Sequence, residues 1–192
     1  MIHTIETGPP VESAAFYGIE LHKHHFAAWA ASRAASVKGC RFSVEKGRAI
    51  LEDCGFVAAF SAPVHLPPCQ DIDEQHRRWR ISAIAAAQPG GLTFTHGVAA
   101  KLVNCYLKSR FVCGGHHADE RVQNLHPPID DLLLKALADS DTGGFARQWR
   151  KARRTRWSKL DSEGYEAVIA LIRASLQGEP LWRIEEHWKG HQ

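Results

Sequence analysis

The stretch His96-Gly97-Val98-Ala99-Ala100-Lys101-Leu102-Val103-Asn104-Cys105-Tyr106-Leu107 runs from a glycine-marked turn directly into apolar residues at helical spacing. Further on, His126-Pro127-Pro128-Ile129-Asp130-Asp131-Leu132-Leu133-Leu134 uses two prolines to deliver a carboxylate to the start of a second helix. A helix that opens after a tight turn offers unpaired backbone N–H groups and the positive end of its dipole, which together suit an anion. Gly97 has no side chain, so a ligand can come close to that backbone. Lys101 is expected on the first turn of that helix, and a lysine amine is a nucleophile once neutral. Asp130 is its complement, an acid at the expected N-cap of the next helix. The pair can be brought face to face.

Outward from this centre the chain reads as helical. Residues 19–37 are rich in alanine, with Phe26, Trp29 and Ala30 at helical spacing, and Gly39 is a stop. Ser43 predicts the cap of a second helix that runs to about Cys54 and closes at Gly55. Prolines 63, 67 and 68 break the connection from Phe56 to Gln70. A third helix is expected from Asp71 to about Gln88, ended by Pro89-Gly90-Gly91. Alternation is confined to residues 57–60 and 92–94, the only strand candidates. A helix from Asp130 to about Ala138 and a loop at 139–144 follow. Asp161 or Ser162 then caps a helix over 163–176 whose apolar face is Val168, Leu171, Ile172 and Leu176. A last short helix carries Trp182 and Trp188. Residues 1 to about 12 read as a loose arm. The expected architecture is all-α, one helical domain over 1–192 with its functional segment at about 89–138.

A chain of 192 residues can bury a substantial core in one domain, and 44% hydrophobic with 23% charged residues is ordinary globular composition. No apolar run approaches the ~20 residues needed to cross a bilayer, so no membrane partner is expected. Five cysteines at irregular spacing fit reduced thiols, and the expected location is the cytoplasm. The net charge is only +3, but residues 147–159 hold seven cations and no acid, interleaved with Trp149 and Trp157. Such a block is the footprint of a phosphate-binding surface.

At Gly97-Val98-Ala99-Ala100-Lys101, at Leu102-Val103-Asn104-Cys105 and at Pro128-Ile129-Asp130 the sequence resembles the helix-hairpin-helix DNA glycosylases. Within them it is similar to the 8-oxoguanine glycosylase-like branch, whose hairpin reads Gly-hydrophobic-Gly-x-Lys, then Val-Ala-Asp-Cys, then Pro-Val-Asp. Ala99 stands where that pattern has its second glycine, and residues 113–120 look like an insertion of the kind archaeal members carry. The β-rich N-terminal domain of the larger members has no counterpart here. The resemblance implies a helical fold around the hairpin, Lys101 as Schiff-base nucleophile and Asp130 as catalytic carboxylate. It also implies a monomer acting on duplex DNA with a damaged or modified base, with lyase activity after base release and no cofactor. The role is either base excision repair or defence against phages by excising their modified bases.

Under this reading Gly97, Val98 and Ala99 hold a phosphate, and Arg150, Lys151, Arg153, Arg154 and Arg156 hold the duplex. An extruded base needs an aromatic platform. Trp29 and Trp157 are the candidates, with His25 for the base edge, in a pocket between the first helices and the hairpin. Two alternatives remain open. One is a DNA-binding module without catalysis; the other is a HEPN-type ribonuclease using Arg110 and His116. Cys113, His116 and His117 lack a second half-site, so no metal is expected.

Overall fold

Helix α4 (His96–Leu107) lies at the centre of the computed structural model, which describes residues 17–190. Its circumference is almost wholly apolar, and a helix apolar all round must be covered on every side. Ten of its twelve residues are buried. The cover comes from α1 (Ile19–Ala35), α3 (Ile72–Ala87), α8 (Ser162–Leu176) and the turn at Trp157–Lys159, with α2 (Val44–Asp53) packed on both α1 and α3. On its inner face α1 buries Ala27, Ala28, Ala31 and Ala35, and such small side chains let helix axes approach closely.

Side-chain caps set several helix starts. Ser43 accepts from the Lys46 amide, Thr95 from Val98 at 3.1 Å, and Asp161 from Gly164 at 2.8 Å. Asp130 caps α6 (Asp131–Asp139) by accepting from the Leu133 amide at 2.8 Å. Past Leu107, α4 continues as a π-helical segment, Lys108–His116, that turns at Gly115 with φ +91°. Two short helices, α5 (Glu120–Gln123) and α7 (Ala146–Ala152), complete the set. The fold is all-α, and the described residues contain no strand. The candidates at 57–60 and 92–94 form turns and loop instead; Phe60 donates back to the Val57 carbonyl at 2.9 Å. Segments so short gain little as strands without a partner. The arm expected at residues 1 to about 12 lies outside the described residues.

A buried polar chain ties these elements together. His126 donates from Nε2 to Asp73 at 2.7 Å and accepts at Nδ1 from the Tyr165 hydroxyl at 3.0 Å. Tyr165 in turn accepts from Asn104 Nδ2 at 3.0 Å, and Asn104 Oδ1 accepts from His76 Nε2 at 2.6 Å. The chain thus crosses α3, α4, the loop before α6 and α8. Burial holds His76 well below the ordinary imidazole pKa, helped by the charges of His126 and Arg80. Burial also lowers His126, against the pull of Asp73. Asp73 is held far below the usual carboxylate range by His126 and Arg173.

Both histidines resist a proton in the fold that the unfolded chain accepts near pH 6.5, so their contribution is intact above that value and is lost as pH falls below it. The contribution of Asp73 acts in the same direction at lower pH. The thermal midpoint is expected to hold between pH 7 and 8 and to fall from pH 6.5 to 5, each histidine costing up to about 1.4 kcal/mol per pH unit. His76→Gln should flatten that slope in calorimetry. A midpoint that rises on acidification would contradict the assignment.

Candidate active site

Lys101 sits on the second turn of α4, and its ammonium donates to Asp130 Oδ2 at 3.0 Å. The carboxylate is held at both ends. Oδ1 accepts the Leu133 amide as the cap of α6, and Oδ2 also accepts the indole N–H of Trp188 at 3.0 Å. Lys101 is 7% exposed, and its Nζ lies 5.5 Å from the centre of the Trp157 ring, within cation–π range. Trp157 directly follows Arg156, so the basic block leads into the turn that roofs the lysine.

The same face of α4 continues through Cys105 to Lys108. Lys108 pairs with Glu185, and its Nζ stands 5.9 Å from the centre of the Trp188 ring. Burial pushes the Glu185 carboxyl up, against the pull of Lys108 and Lys101. Two lysines, two acids and an indole therefore interlock where α4, the start of α6 and the 3-10 segment Leu181–His187 meet. Sequence reading did not identify Lys108, Glu185 or Trp188. The spacing of 101, 105 and 108 along one helix face was the available signal for Lys108. Nothing local marks Glu185 or Trp188, which arrive through tertiary packing.

The crevice beside Lys101, lined by Gly97, Ala100, Asn104, Ile129, Trp157, Leu160 and Tyr165, leaves no room for a water molecule. Between α1 and α4, the place of the expected pocket, the two helices pack closely. The alanines of α1 and a hydrogen bond at 2.8 Å between His24 and Tyr106 fill that space. Trp29 and His25 do not reach the pair: Trp29 is 50% exposed beside Phe26, and His25 lies near Tyr17. A large ring cannot occupy the close alanine contact, so the tryptophan falls on the outer side. Of the three expected pocket residues, only Trp157 is at the pair.

At Gly97, Val98 and Ala99, the expected phosphate site, the structure leaves no amide free. All three are buried, and their amides are used within the chain: Gly97 donates to Leu160 at 3.1 Å, Val98 to Thr95 Oγ1, and Ala99 to the Thr95 carbonyl at 3.0 Å. A Cβ on Gly97 would come within 1.8 Å of the Trp157 carbonyl oxygen. The glycine is therefore required by the turn that crosses it. By contrast Arg150, Lys151, Arg153, Arg154 and Arg156 are all exposed, with Arg150, Lys151 and Arg154 lining one shallow cleft. Arg110 faces inward, clamped to Glu20 and to the Ala58 and Phe60 carbonyls, so it offers no exposed partner to His116. Among the described residues no group of three or more His, Cys, Asp or Glu side chains is placed to hold a metal.

Comparison with family models, with curated proteins and with solved structures gives no match to this chain.

The geometry of the site makes Asp130 both a cap and the counter-ion of an enclosed ammonium. Asp130→Ala should cost about 3–5 kcal/mol in urea unfolding, because a buried cation loses its partner along with the cap. Asp130→Asn keeps one oxygen for either the cap or the two donors at Oδ2, and should fall between Asp130→Ala and the native chain. Equal stability of all three would show that the pair carries no structural load.

Proposed function

We propose that this chain is a DNA glycosylase, bifunctional with lyase activity, that works as a monomer on a nucleotide extruded from duplex DNA. The observation that carries the reading is the 3.0 Å contact between the Lys101 amine and the Asp130 carboxylate, with Trp157 and the basic block adjoining it. The duplex lies on the exposed cations from Arg150 to Arg156, and the Gly97 turn is not used for phosphate contact. No helix among the described residues is long and apolar enough to cross a membrane.

Asp130 accepts a proton from Lys101, freeing the amine lone pair. The amine bonds to C1′ of the extruded nucleotide as the bond from C1′ to the base breaks, and the base departs with that electron pair and takes up a proton. The proton that Asp130 took passes to the departing base, and the regenerated carboxylate stabilises the positive charge that develops on the sugar. A proton moves from the nitrogen to O4′ as the C1′–O4′ bond breaks, which opens the sugar ring and leaves a protonated imine on Lys101. Loss of a C2′ proton then expels the 3′ phosphate by β-elimination. The substrates that fit are oxidised purines, in repair, or hypermodified phage bases, in defence.

A second reading is favoured by the closed crevice: a module that binds duplex DNA through the basic block without catalysis. One experiment separates the two. Duplexes carrying single oxidised, alkylated or hypermodified bases are incubated with the protein, and base release is followed by mass spectrometry and strand scission by gel. The glycosylase reading expects release from at least one duplex. Asp130→Asn should slow it about 100- to 10,000-fold, and Lys101→Gln should abolish scission. Binding that weakens steeply with salt, with no release from any duplex, would favour the module and overturn the enzyme.

A further inference from the structure

On its Asp130 side the reactive pair is covered by a residue near the end of the described chain. Trp188 closes the 3-10 segment Leu181–His187, which is anchored by the buried side chains of Leu181 and Ile184 and by the Glu185–Lys108 pair. Its indole points inward and donates to the same Asp130 oxygen that Lys101 uses. The chain then folds back on the ring: a Cβ on Gly190 would lie 2.2 Å from the indole Cζ2, so only glycine lets the backbone pass there. Outside this cover, an open cleft of about 500 Å³ follows the seam between α6 and the C-terminal segment. Leu132, Lys135 and Asp139 line it on one side, and His187 and Lys189, the two neighbours of Trp188, line it on the other. The cleft has the volume of a small-ligand site, whereas the crevice at the pair has none.

We infer that Trp188 is a gate: its indole holds the place beside Asp130 that a sugar must take, and an incoming nucleotide displaces it toward the cleft. This rests on the proposed glycosylase reading for the identity of the ligand, but not for the gate itself. The closed form stores Asp130 with its full set of donors. In the open form Asp130 Oδ2 keeps Lys101 and exchanges the indole N–H for substrate. A nucleotide enters only if its own contacts outweigh that bond, the packing of Gly190 on the ring and the contact with Lys108, so Trp188 also screens what is admitted.

Access to Lys101 can be read without DNA. The full chain is incubated with a small water-soluble aldehyde and sodium borohydride. A neutral amine condenses to an imine with loss of water, and hydride transfer fixes it as a secondary amine that peptide mapping assigns to Lys101. Trp188→Ala should raise labelling at Lys101 about tenfold or more over the native chain, the size of effect expected when a local opening step is removed. Gly190→Ala leaves the indole in the protein but drives it from its seat, and should raise labelling in the same direction. It keeps the test decisive if Trp188→Ala fails to fold. Labelling at Lys101 that matches the native chain in the folded variants overturns the gate. Raised labelling together with no base release from any duplex would leave the gate standing and remove the glycosylase reading.

Discussion

The carboxylate of Asp130 is the point on which this structure turns. One oxygen starts helix α6 by accepting the Leu133 amide, and the other is shared by the ammonium of Lys101 and the indole of Trp188. A single side chain thereby fixes a helix start, neutralises a cation that is nearly buried, and anchors the C-terminal segment. The other two lines of force meet nearby. Trp157 roofs Lys101 at the end of the basic block, and Lys108 repeats the cationic pattern two turns along with Glu185 as its partner. Removing the partner of an enclosed charge costs more than the pair itself contributes.

Much of this was legible in the sequence wherever the cause was local. Apolar spacing and the caps at Ser43, Asp130 and Asp161 mark helix positions because capping and amphipathicity act within a few residues. The pairing of Lys101 with Asp130 could be anticipated because two prolines bring the acid to a helix start. The role of Gly97 could not, since its reason is a turn some sixty residues later in the chain whose carbonyl oxygen occupies the space of a Cβ. Trp29 looked like a core or pocket residue by spacing, yet the alanines around it, by packing tightly on α4, leave it outside. Trp188 and Glu185 reach the site only through the path of the last segment. No short-range rule encodes that path.

The closed crevice and the reactive pair are compatible if they belong to different moments. An amine and an acid held together in a dry seat are protected from side reactions while the protein is free. Pre-formed donors then need little reorganisation once substrate arrives. The cations of residues 150–156 are exposed and would be the encounter surface in the proposed reaction, while the buried polar chain from Asp73 to Asn104 braces α4 from behind. Asn104 lies one turn from Lys101, so the histidines and Tyr165 set the attitude of the helix that carries this lysine.

The most direct test of the central claim is to reduce the protein with borohydride in the presence of a duplex that supports base release, digest the covalent complex and locate the modified peptide by mass spectrometry. The account predicts the sugar remnant on Lys101, with no adduct in the Lys101→Gln protein. An adduct on another amine, or base release with no trapped intermediate, would contradict it.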